Sequence, residues 1–327
     1  MSGAAGPVRW GVIGATAKIA RHAVLPALAA TSSCRLVAVA SESSPAGGYA
    51  DFGAERVLSS YEAVLADPEV EAVYIPLPNS LHAEWTIRAA GAGKHVLCEK
   101  PLASTALEAV AMAAACDQAG VLLFEAYMTP FHPRSERLET ILRSGRLGDL
   151  RFARTAFTGV LRDASNHRWS PAMGGGALLD VGIYCLAPLL LAAGRSPVKL
   201  AASSVLTESG VDSSFSGWLD FGRGFVANFE CSFETPERQS IEVVGTEGSL
   251  TMERTFTPGL EDTVLSVLDR SGAVDTIECG GADPYAGMVD HVSAVVRGTA
   301  VPRRTPADAI EVATLIDRLR TVADGGA

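Results

Sequence analysis

The chain has 327 residues, of which 48% are hydrophobic, and this length and composition predict two domains with real hydrophobic cores. Its net charge of −10 argues against a nucleic-acid partner, which would demand a basic face. No apolar run reaches the length of a membrane span and no secretory signal is visible, so a cytoplasmic protein is expected. The cysteines are scattered without CxxC spacing, so we predict reduced core thiols and no metal site.

The first half of the chain opens like a nucleotide-binding domain. Val8 to Ile13 is an apolar strand that breaks at Gly14, and a helix is predicted from Ile19 to Ala30. A strand, a glycine turn and a helix in this order begin a dinucleotide-binding βαβ unit, in which loop amides and the helix N-terminus hold a pyrophosphate. The glycine pattern is imperfect, because Thr16 or Ala17 stands where a further glycine is usual.

Strands and helices continue to alternate up to residue 125. The second strand, Arg35 to Ala40, ends at Ser41-Glu42, where a dinucleotide fold reads the adenosine ribose. Later strands are predicted at Val70–Pro76, His95–Cys98 and Val121–Glu125, and helices at Leu81–Ala92 and Ser104–Gln118. This alternation indicates a parallel sheet, so residues 1–125 are predicted to form an α/β Rossmann domain that binds a dinucleotide.

The strand from His95 to Cys98 ends abruptly on Glu99-Lys100-Pro101. In open α/β sheets ligands bind at the carboxyl ends of the strands, and Pro101 biases Lys100 toward an extended backbone. A lysine at such an edge, beside a carboxylate, is a candidate proton donor. The alternative is a lysine that ends the strand and extends into water. His82 opens a helix at the same edge and is predicted to contact the cofactor.

After residue 125 the pattern changes to long strands separated by short turns. Strands are predicted at Gly148–Phe157, Lys199–Glu208, Asp212–Phe221, Gly224–Glu234, Gln239–Gly245 and Gly248–Glu253, and helices at Phe131–Ser144, Ala177–Ala193, Pro284–Arg297 and Pro306–Ala323. Short turns between strands indicate a largely antiparallel sheet. Residues 126–327 are therefore predicted to form an α+β domain for substrate binding and oligomerisation.

A second candidate site lies on the helix predicted from residue 177. Asp180 and Tyr184 are four residues apart and hence share one face of that helix. The glycines at 174–176 would let a substrate approach the helix start closely. The alternative is a capped helix with Tyr184 packed in the core. The residues before the glycines either line a substrate pocket or are exposed loop residues: Arg162, Asn166, Arg168 and Trp169.

With these pieces placed, the sequence resembles the glucose–fructose oxidoreductase/inositol dehydrogenase/MocA (GFO/IDH/MocA) family. Four segments carry the match: Gly11-Val-Ile-Gly14 with Ile19-Ala20, Pro78-Asn79-Ser-Leu-His82, the Glu-Lys-Pro segment from Ala92 to Leu102, and Gly174 to Tyr184. They span both predicted domains in family order. The resemblance implies hydride transfer between NAD or NADP and sugars or related alcohols. It also implies a second domain whose open-faced, mainly antiparallel sheet often forms a dimer interface, so a homo-oligomer, dimer or tetramer, is expected.

The resemblance also implies roles for individual residues. The cofactor would be held by Gly11, Gly14, Thr16, Ala17, Lys18, Ile19, Ser41, Glu42, Pro76, Leu77, Asn79, His82, Glu99 and Lys100. Lys100 and Tyr184 would form a proton-transfer pair across an interdomain cleft, with Asp180 positioning the substrate hydroxyl or the tyrosine. A neighbouring ammonium and an oxidised nicotinamide ring both lower the pKa of a phenol, which suits a tyrosine to this task.

The chain departs from the family pattern at two places. The phosphate loop from Gly14 to Ala20 is one residue longer than usual, and Tyr184 stands where histidine is frequent. The tyrosine resembles the branch with dihydrodiol dehydrogenases and sugar-nucleotide 3-ketoreductases, and a 3-ketoreductase is the narrower prediction. The expected substrate is a keto-sugar, sugar nucleotide, aldose or cyclic diol.

The residue after Ser41 bears on the choice of cofactor. Relatives that use NADP often have Ser-Arg here, whereas this chain has Glu42, whose charge would repel a 2′-phosphate by roughly 1–3 kcal/mol. A slight preference for NAD is therefore predicted. Lys18 or Arg21 in the extended loop could supply the missing positive charge.

The same residues are compatible with two alternatives to a dehydrogenase. One is a dinucleotide-binding sensor or scaffold without catalysis, although a scaffold needs neither Lys100 nor Tyr184. The other is a glycoside hydrolase that oxidises its substrate transiently with bound NAD, for which the cofactor would show no net turnover.

Overall fold

The computed structural model describes residues 6–41 and 48–325. The chain divides into two compact units, Met1–Met128 with Asp283–Ile310 and Thr129–Ala282 with Glu311–Ala327. The segment Asp283–Ile310 thus belongs to the first unit, whereas the sequence analysis placed every residue after 125 in the second domain.

The core of the first unit is a six-stranded parallel sheet in the order β3-β2-β1-β4-β5-β6. Its strands are β1 Val8–Ile13, β2 Cys34–Ala40, β3 Arg56–Leu58, β4 Ala72–Ile75, β5 His95–Glu99 and β6 Leu123–Ala126. The strands β1, β2, β4 and β5 are almost wholly buried, as expected for a parallel sheet covered on both faces. The predicted α/β Rossmann class is confirmed.

Helices and turns connect these strands and those of the second unit. In chain order the α-helices are α1 Leu25–Ala30, α2 Tyr61–Ala66, α3 His82–Gly91, α4 Ala106–Ala119, α5 Pro133–Arg143, α6 Ala177–Asp180, α7 Gly182–Ala193, α8 Pro284–Val296 and α9 Pro306–Gly325. A π-helix spans Ala20–Val24, and single 3₁₀ turns lie at Ala50–Phe52, Asn79–Leu81, Thr129–Phe131, His167–Trp169 and Pro171–Met173.

Long-range polar contacts bind α8 to the first unit. The indole nitrogen of Trp10 in β1 donates to the hydroxyl of Ser293 in α8 at 3.2 Å, and both residues are fully buried. The guanidinium of Arg297 forms an ion pair with Glu71 at 2.7 Å, just before β4. These partners are more than two hundred positions apart, so local sequence patterns do not show that Asp283–Ile310 joins the first unit.

The second unit is built on an eight-stranded sheet in the order β14-β13-β12-β11-β7-β10-β9-β8. Its strands are β7 Leu150–Val160, β8 Lys199–Leu206, β9 Asp212–Asp220, β10 Val226–Ser232, β11 Glu234–Gly245, β12 Gly248–Glu253, β13 Thr263–Asp269 and β14 Val274–Gly280. All neighbouring strands pair antiparallel except β10 and β7, which are parallel. The predicted, mainly antiparallel sheet is confirmed, and β13 and β14 extend it beyond the predicted strands.

The helix predicted from residue 177 to 193 is broken in two, which corrects the expected face shared by Asp180 and Tyr184. The axis bends by 48° between the segments Pro171–Asp180 and Gly182–Ala193. Val181 separates α6 from α7, and the amide of Tyr184 donates to the carbonyl of Val181 rather than to that of Asp180. The two side chains therefore belong to different helices.

The glycines before α6 serve the packing of the protein itself. A Cβ on Gly175 would lie 2.3 Å from the carbonyl oxygen of Arg168, and one on Gly176 would lie 2.2 Å from a carboxylate oxygen of Asp212. Asp212 is buried and accepts a hydrogen bond from the amide of Leu178 at 2.6 Å, which caps α6. The missing side chains at Gly175 and Gly176 therefore make room for Arg168 and Asp212, and a close approach of a substrate to these glycines stays a prediction.

Within residues 6–41 and 48–325, no single helix is long and apolar enough to cross a membrane. The bent pair Pro171–Asp180 and Gly182–Ala193 has the length and composition of a span only when its two parts are taken together. The first nine residues of α7 are buried in the second unit, as in the core helix of a folded domain.

Candidate functional site

The strand order of the first unit reverses between β1 and β4, and this place is where open α/β sheets bind ligands. The chain turns here at Gly14, whose φ of 84° favours glycine, and the amides of Gly14 and Ala15 donate to the carbonyl of Ala40. A Cβ on Gly14 would lie 2.6 Å from the side chain of Leu77 and 3.3 Å from the carbonyl oxygen of Pro76. The loops after β1 and β4 are therefore brought into contact, as their predicted joint role requires.

Gly11 lies where the sequence predicts it, inside the first strand. It lies inside β1 and is buried, and a Cβ there would come within 2.6 Å of Val64 in α2 and 3.0 Å of Val70. Its smallness lets α2 pack closely on the sheet beneath the loop. Direct contact of Gly11 with a nucleotide stays a prediction.

The loop after Gly14 reaches the end of the second strand. The hydroxyls of Thr16 and Ser41 lie 2.8 Å apart, and Ser41 is buried at the end of β2. Ala17 and Ile19 are half-buried and Lys18 is exposed. Glu42 lies outside the described residues. The structure thus brings Thr16 and Ser41 together at the position where a Rossmann fold reads the adenosine ribose.

The helix that follows this loop begins as a π-helix, from Ala20 to Val24, and continues as α1. A π turn holds one more residue than an α turn and is frequent near functional sites. The amide of Arg21 donates to the carbonyl of Ala17 at 3.1 Å. The wider turn follows directly on the loop that the sequence predicts to bind the pyrophosphate.

His82 connects the loops after β4 and β5. It is fully buried, and its ring nitrogens lie 2.9 Å from the carbonyl oxygen of Pro101 and 2.8 Å from that of Leu77. Burial lowers the pKa of His82, and the charge of Lys100 acts in the same direction. A neutral imidazole donates from one nitrogen only, so the ring bonds one carbonyl at a time. Asn79 is half-buried in the preceding 3₁₀ turn.

Glu99 holds the backbone at Lys100. The Glu99 carboxylate is buried at the end of β5, accepts a hydrogen bond from the phenol of Tyr74 at 2.6 Å and accepts another from the amide of Lys100 at 3.2 Å. Burial raises the pKa of Tyr74, and the negative charge of Glu99 raises it further. Tyr74 therefore remains a hydrogen-bond donor. These contacts give Glu99 a supporting place beneath Lys100. The Lys100–Pro101 peptide is cis.

A second carboxylate holds the chain on the other side of Pro101. Glu125 in β6 accepts a hydrogen bond from the amide of Leu102 at 2.8 Å and pairs with the guanidinium of Arg304 at 2.9 Å. Arg304 also lies over the ring of Tyr127, 5.0 Å from its centroid. The sequence analysis missed Arg304, and no local signal identifies it, because its partner is 179 positions away.

The predicted residues of the second unit fall into two groups. Tyr184 is 6% exposed and packs edge-on against Phe157 at 5.1 Å and beside Phe256 at 5.7 Å. Asp180 pairs with the guanidinium of Arg168 at 2.7 Å. The aromatic contacts orient the tyrosine ring, whereas the ion pair fixes the aspartate.

The segment before α6 is also ordered by its own contacts. The Asn166 side chain accepts a hydrogen bond from the amide of Arg168 at 3.1 Å and caps the 3₁₀ turn. Trp169 packs edge-on against Phe233 at 5.3 Å, and Arg162 is exposed. A substrate role for these residues stays a prediction.

The first unit fits a dinucleotide. A glycine turn, a buried hydroxyl at the second strand and a supported lysine meet at the carboxyl edge of one parallel sheet, the combination that binds pyrophosphate, ribose and nicotinamide in Rossmann folds. Over residues 6–41 and 48–325, no group of three or more His, Cys, Asp or Glu side chains could hold a metal ion.

Two family models match the chain. The model described as an oxidoreductase family with an NAD-binding Rossmann fold matches residues 8–127. The model of the GFO/IDH/MocA C-terminal domain matches residues 135–251.

Several proteins are similar over almost the full length. A D-xylose 1-dehydrogenase (NADP⁺) of Haloferax volcanii is 35% identical, with 97% of this chain and 98% of the relative covered. A dTDP-3,4-didehydro-2,6-dideoxy-α-D-glucose 3-reductase of Saccharopolyspora spinosa is 36% identical, with 90% of each covered. The crystal structure of a 3-ketoreductase from Actinomadura kijaniata with NADP and TDP-benzene has a TM-score of 0.89 and 32% identity, and covers 97% of this chain and 98% of that one.

The buried pair of Glu125 and Arg304 gives a prediction for stability. The Glu125 side chain is 3% exposed, so Arg304→Gln would leave a buried carboxylate without its cation and lower the free energy of unfolding by about 3 kcal/mol. Urea unfolding measures the change. The matched control is Arg143→Gln, because Arg143 pairs with Glu139 but is 73% exposed, and its loss should cost less than about 0.5 kcal/mol.

A double-mutant cycle separates the ion pair from general damage. If the pair carries the effect, adding Glu125→Gln to Arg304→Gln recovers part of the lost stability, because no unpaired charge remains buried. Equal losses in Arg304→Gln and Arg143→Gln would contradict the assignment.

Proposed function

Because the chain belongs to the GFO/IDH/MocA family of oxidoreductases, we propose that it transfers hydride between a nicotinamide cofactor and a carbohydrate. The reduction of a 3-keto sugar nucleotide is the narrower candidate. The observation that carries the proposal is the Glu-Lys-Pro end of β5, which two buried carboxylates support at the sheet edge where the family places its nicotinamide. The D-xylose 1-dehydrogenase and the dTDP-sugar 3-reductase are named for sugar and sugar-nucleotide substrates, which supports this substrate class.

The proposed cofactor site belongs to the first domain. This domain is proposed to comprise residues 1–125, and α8 packs against it. The loop from Gly14 to Ile19 would bind the pyrophosphate, and Ser41 would face the adenosine ribose. Pro76, Leu77, Asn79 and His82 would border the nicotinamide half, with Lys100 nearest the reacting carbon. When bound, the nicotinamide ring accepts or donates the hydride. The slight preference for NAD rests on Glu42 and stays a prediction.

Proton transfer is assigned to Lys100 and Tyr184. The Lys100 backbone is fixed by Glu99, and the Tyr184 ring is fixed by Phe157 and Phe256. A phenol next to an ammonium gives its proton to a carbonyl oxygen as hydride arrives at the carbon, and takes it back in the reverse direction. Because Asp180 is paired with Arg168, its proposed task is to orient substrate hydroxyls together with that arginine.

The substrate domain is proposed to be residues 126–282 with the end of α9. Arg162, Asn166, Arg168 and Trp169 would contact the sugar or its nucleotide carrier, since arginine suits a diphosphate and tryptophan suits a sugar or base face. These roles rest on the position of the four residues before α6, the helix that ends at Asp180.

The first test is a substrate panel. Keto-sugars, aldoses and cyclic diols are offered with and without a dTDP carrier while nicotinamide absorbance at the reduced-cofactor band is followed. We expect turnover with sugars, and the highest kcat/KM with a dTDP-linked 3-keto sugar, because the carrier adds binding energy remote from the reacting carbon. Faster turnover of free aldoses would shift the proposal to an aldose dehydrogenase, and no turnover of any sugar would overturn it.

The second test concerns the proton-transfer pair. Lys100→Met and Tyr184→Phe should each reduce kcat by roughly 100-fold or more, the usual effect of a lost acid–base group. Cofactor affinity, followed by fluorescence quenching, should hardly change for Tyr184→Phe. Lys199→Met is the matched control, because Lys199 is exposed at the start of β8. Near-normal kcat in both variants at every pH would refute the assignment.

The proposed homo-oligomer uses one face of the eight-stranded sheet. Phe152, Val205 and Trp218 project from the same face, and they are 58%, 56% and 36% exposed. Polar side chains such as Arg154, Asn228 and Ser216 lie between them on this face, so the proposed interface is of mixed polarity. Light scattering should show a dimer or tetramer for the wild type and a monomer for Trp218→Glu with Phe152→Glu. A monomeric wild type would contradict the proposed assembly.

A further inference from the structure

Arg21 is held in an unusual place at the adenosine end of the sheet. It lies on the π-helix and is half-buried, with its guanidinium carbon 5.3 Å from the ring centroid of Tyr49 and 5.9 Å from that of Phe52. One guanidinium nitrogen is 3.0 Å from the position that a Cβ on Gly48 would occupy. Arg21 therefore extends from the helix after β1 to the segment that follows β2.

This position flanks the end of β2. Ser41 closes that strand and contacts Thr16, which lies five positions before Arg21 in the same loop and helix. In Rossmann folds the ribose 2′ position lies at the end of the second strand, and an arginine nearby accommodates a 2′-phosphate. The usual arginine would follow the strand directly, where this chain has Glu42. Arg21 lies on the helix after β1 and contacts Gly48, Tyr49 and Phe52 in the segment that follows β2.

The local chemistry distinguishes Arg21 from Lys18. Stacking on two rings limits the conformations of the Arg21 side chain, and a guanidinium over a ring keeps its in-plane N–H groups as donors for an anion. Lys18 is exposed, and a flexible ammonium loses more side-chain entropy when it binds. Of the two cations near the loop, the preorganised one is Arg21.

We propose that Arg21 binds the 2′-phosphate of NADP, so that the protein binds NADPH as well as NADH. This inference rests on the proposed dinucleotide site. It assigns a specificity-determining residue outside the usual position after β2. It also opposes the preference for NAD that Glu42 alone predicts.

Equilibrium binding tests the proposal without catalysis. NADPH and NADH are titrated by nicotinamide fluorescence into the wild type and three variants: Arg21→Gln, Lys18→Gln and Arg88→Gln. Arg88 is the matched control, because it also lies over an aromatic ring, 4.6 Å from Trp85, but sits in the last turn of α3 before β5 begins. Arg21→Gln should weaken the affinity for NADPH by about 10- to 100-fold, which is the effect of one charge-assisted contact. The affinity for NADH should fall by less than about threefold.

The other variants and a salt series separate the possible outcomes. Lys18→Gln and Arg88→Gln should leave the ratio of NADPH to NADH affinity unchanged. NADPH binding should weaken more steeply with salt than NADH binding in the wild type, and this excess should vanish in Arg21→Gln. An unchanged ratio in Arg21→Gln, or a loss of NADPH binding in Lys18→Gln instead, would overturn the proposal.

A fragment pair separates failure of this inference from failure of the proposed function. Calorimetry with 2′,5′-ADP and with 5′-AMP compares ligands that differ by the 2′-phosphate alone and carry no nicotinamide. Preference of the wild type for 2′,5′-ADP, lost in Arg21→Gln and partly restored in Arg21→Lys, supports the proposal. If both cofactors bind but Arg21→Gln weakens both equally with a lowered Tm, Arg21 is a packing residue only. If neither cofactor binds, the proposed function fails as well.

Discussion

Two carboxylates at the ends of neighbouring strands determine where Lys100 lies. Glu99 accepts hydrogen bonds from the phenol of Tyr74 and the amide of Lys100. Glu125 accepts a hydrogen bond from the amide of Leu102 and forms an ion pair with Arg304. Because a buried carboxylate costs several kcal/mol unless its lone pairs are satisfied, each partner is fixed with it. The chain around Pro101 is therefore held from both sides by groups that belong to the sheet itself.

Much of the fold follows from local patterns, and the exceptions have physical causes. The buried strands of the first unit and α4 were predicted closely, because continuous apolar runs and a capping residue such as Thr105 act within a few positions. The strand β3 was missed since it has three residues and no buried one. The placement of α8 depends on Trp10 and Ser293, which only the folded chain brings together.

In the candidate site too, features set by local sequence were predictable and features set by long-range contacts were not. The Glu-Lys-Pro segment and Gly14 were recognisable, because a strand end and a left-handed turn have signatures of their own. The break at Val181 was not recognisable, because residues 177–193 form one mostly apolar stretch with no helix-ending residue at that position. Arg304 was not recognisable either, because its role depends on the Glu125 carboxylate, which is far away in the sequence. A charge pair between residues far apart in the chain produces no periodic pattern in the sequence.

The π-helical turn at Ala20–Val24 matters for aligning this chain with other members of the family. A gap placed in the glycine loop would shift the predicted nucleotide-binding positions between Gly14 and Ile19 by one. A gap placed inside the helix leaves the loop in register and also keeps Leu25 and Leu28 on the buried face. Homology-derived numbering of phosphate contacts, and any mutant library built on it, should therefore carry the insertion within the helix.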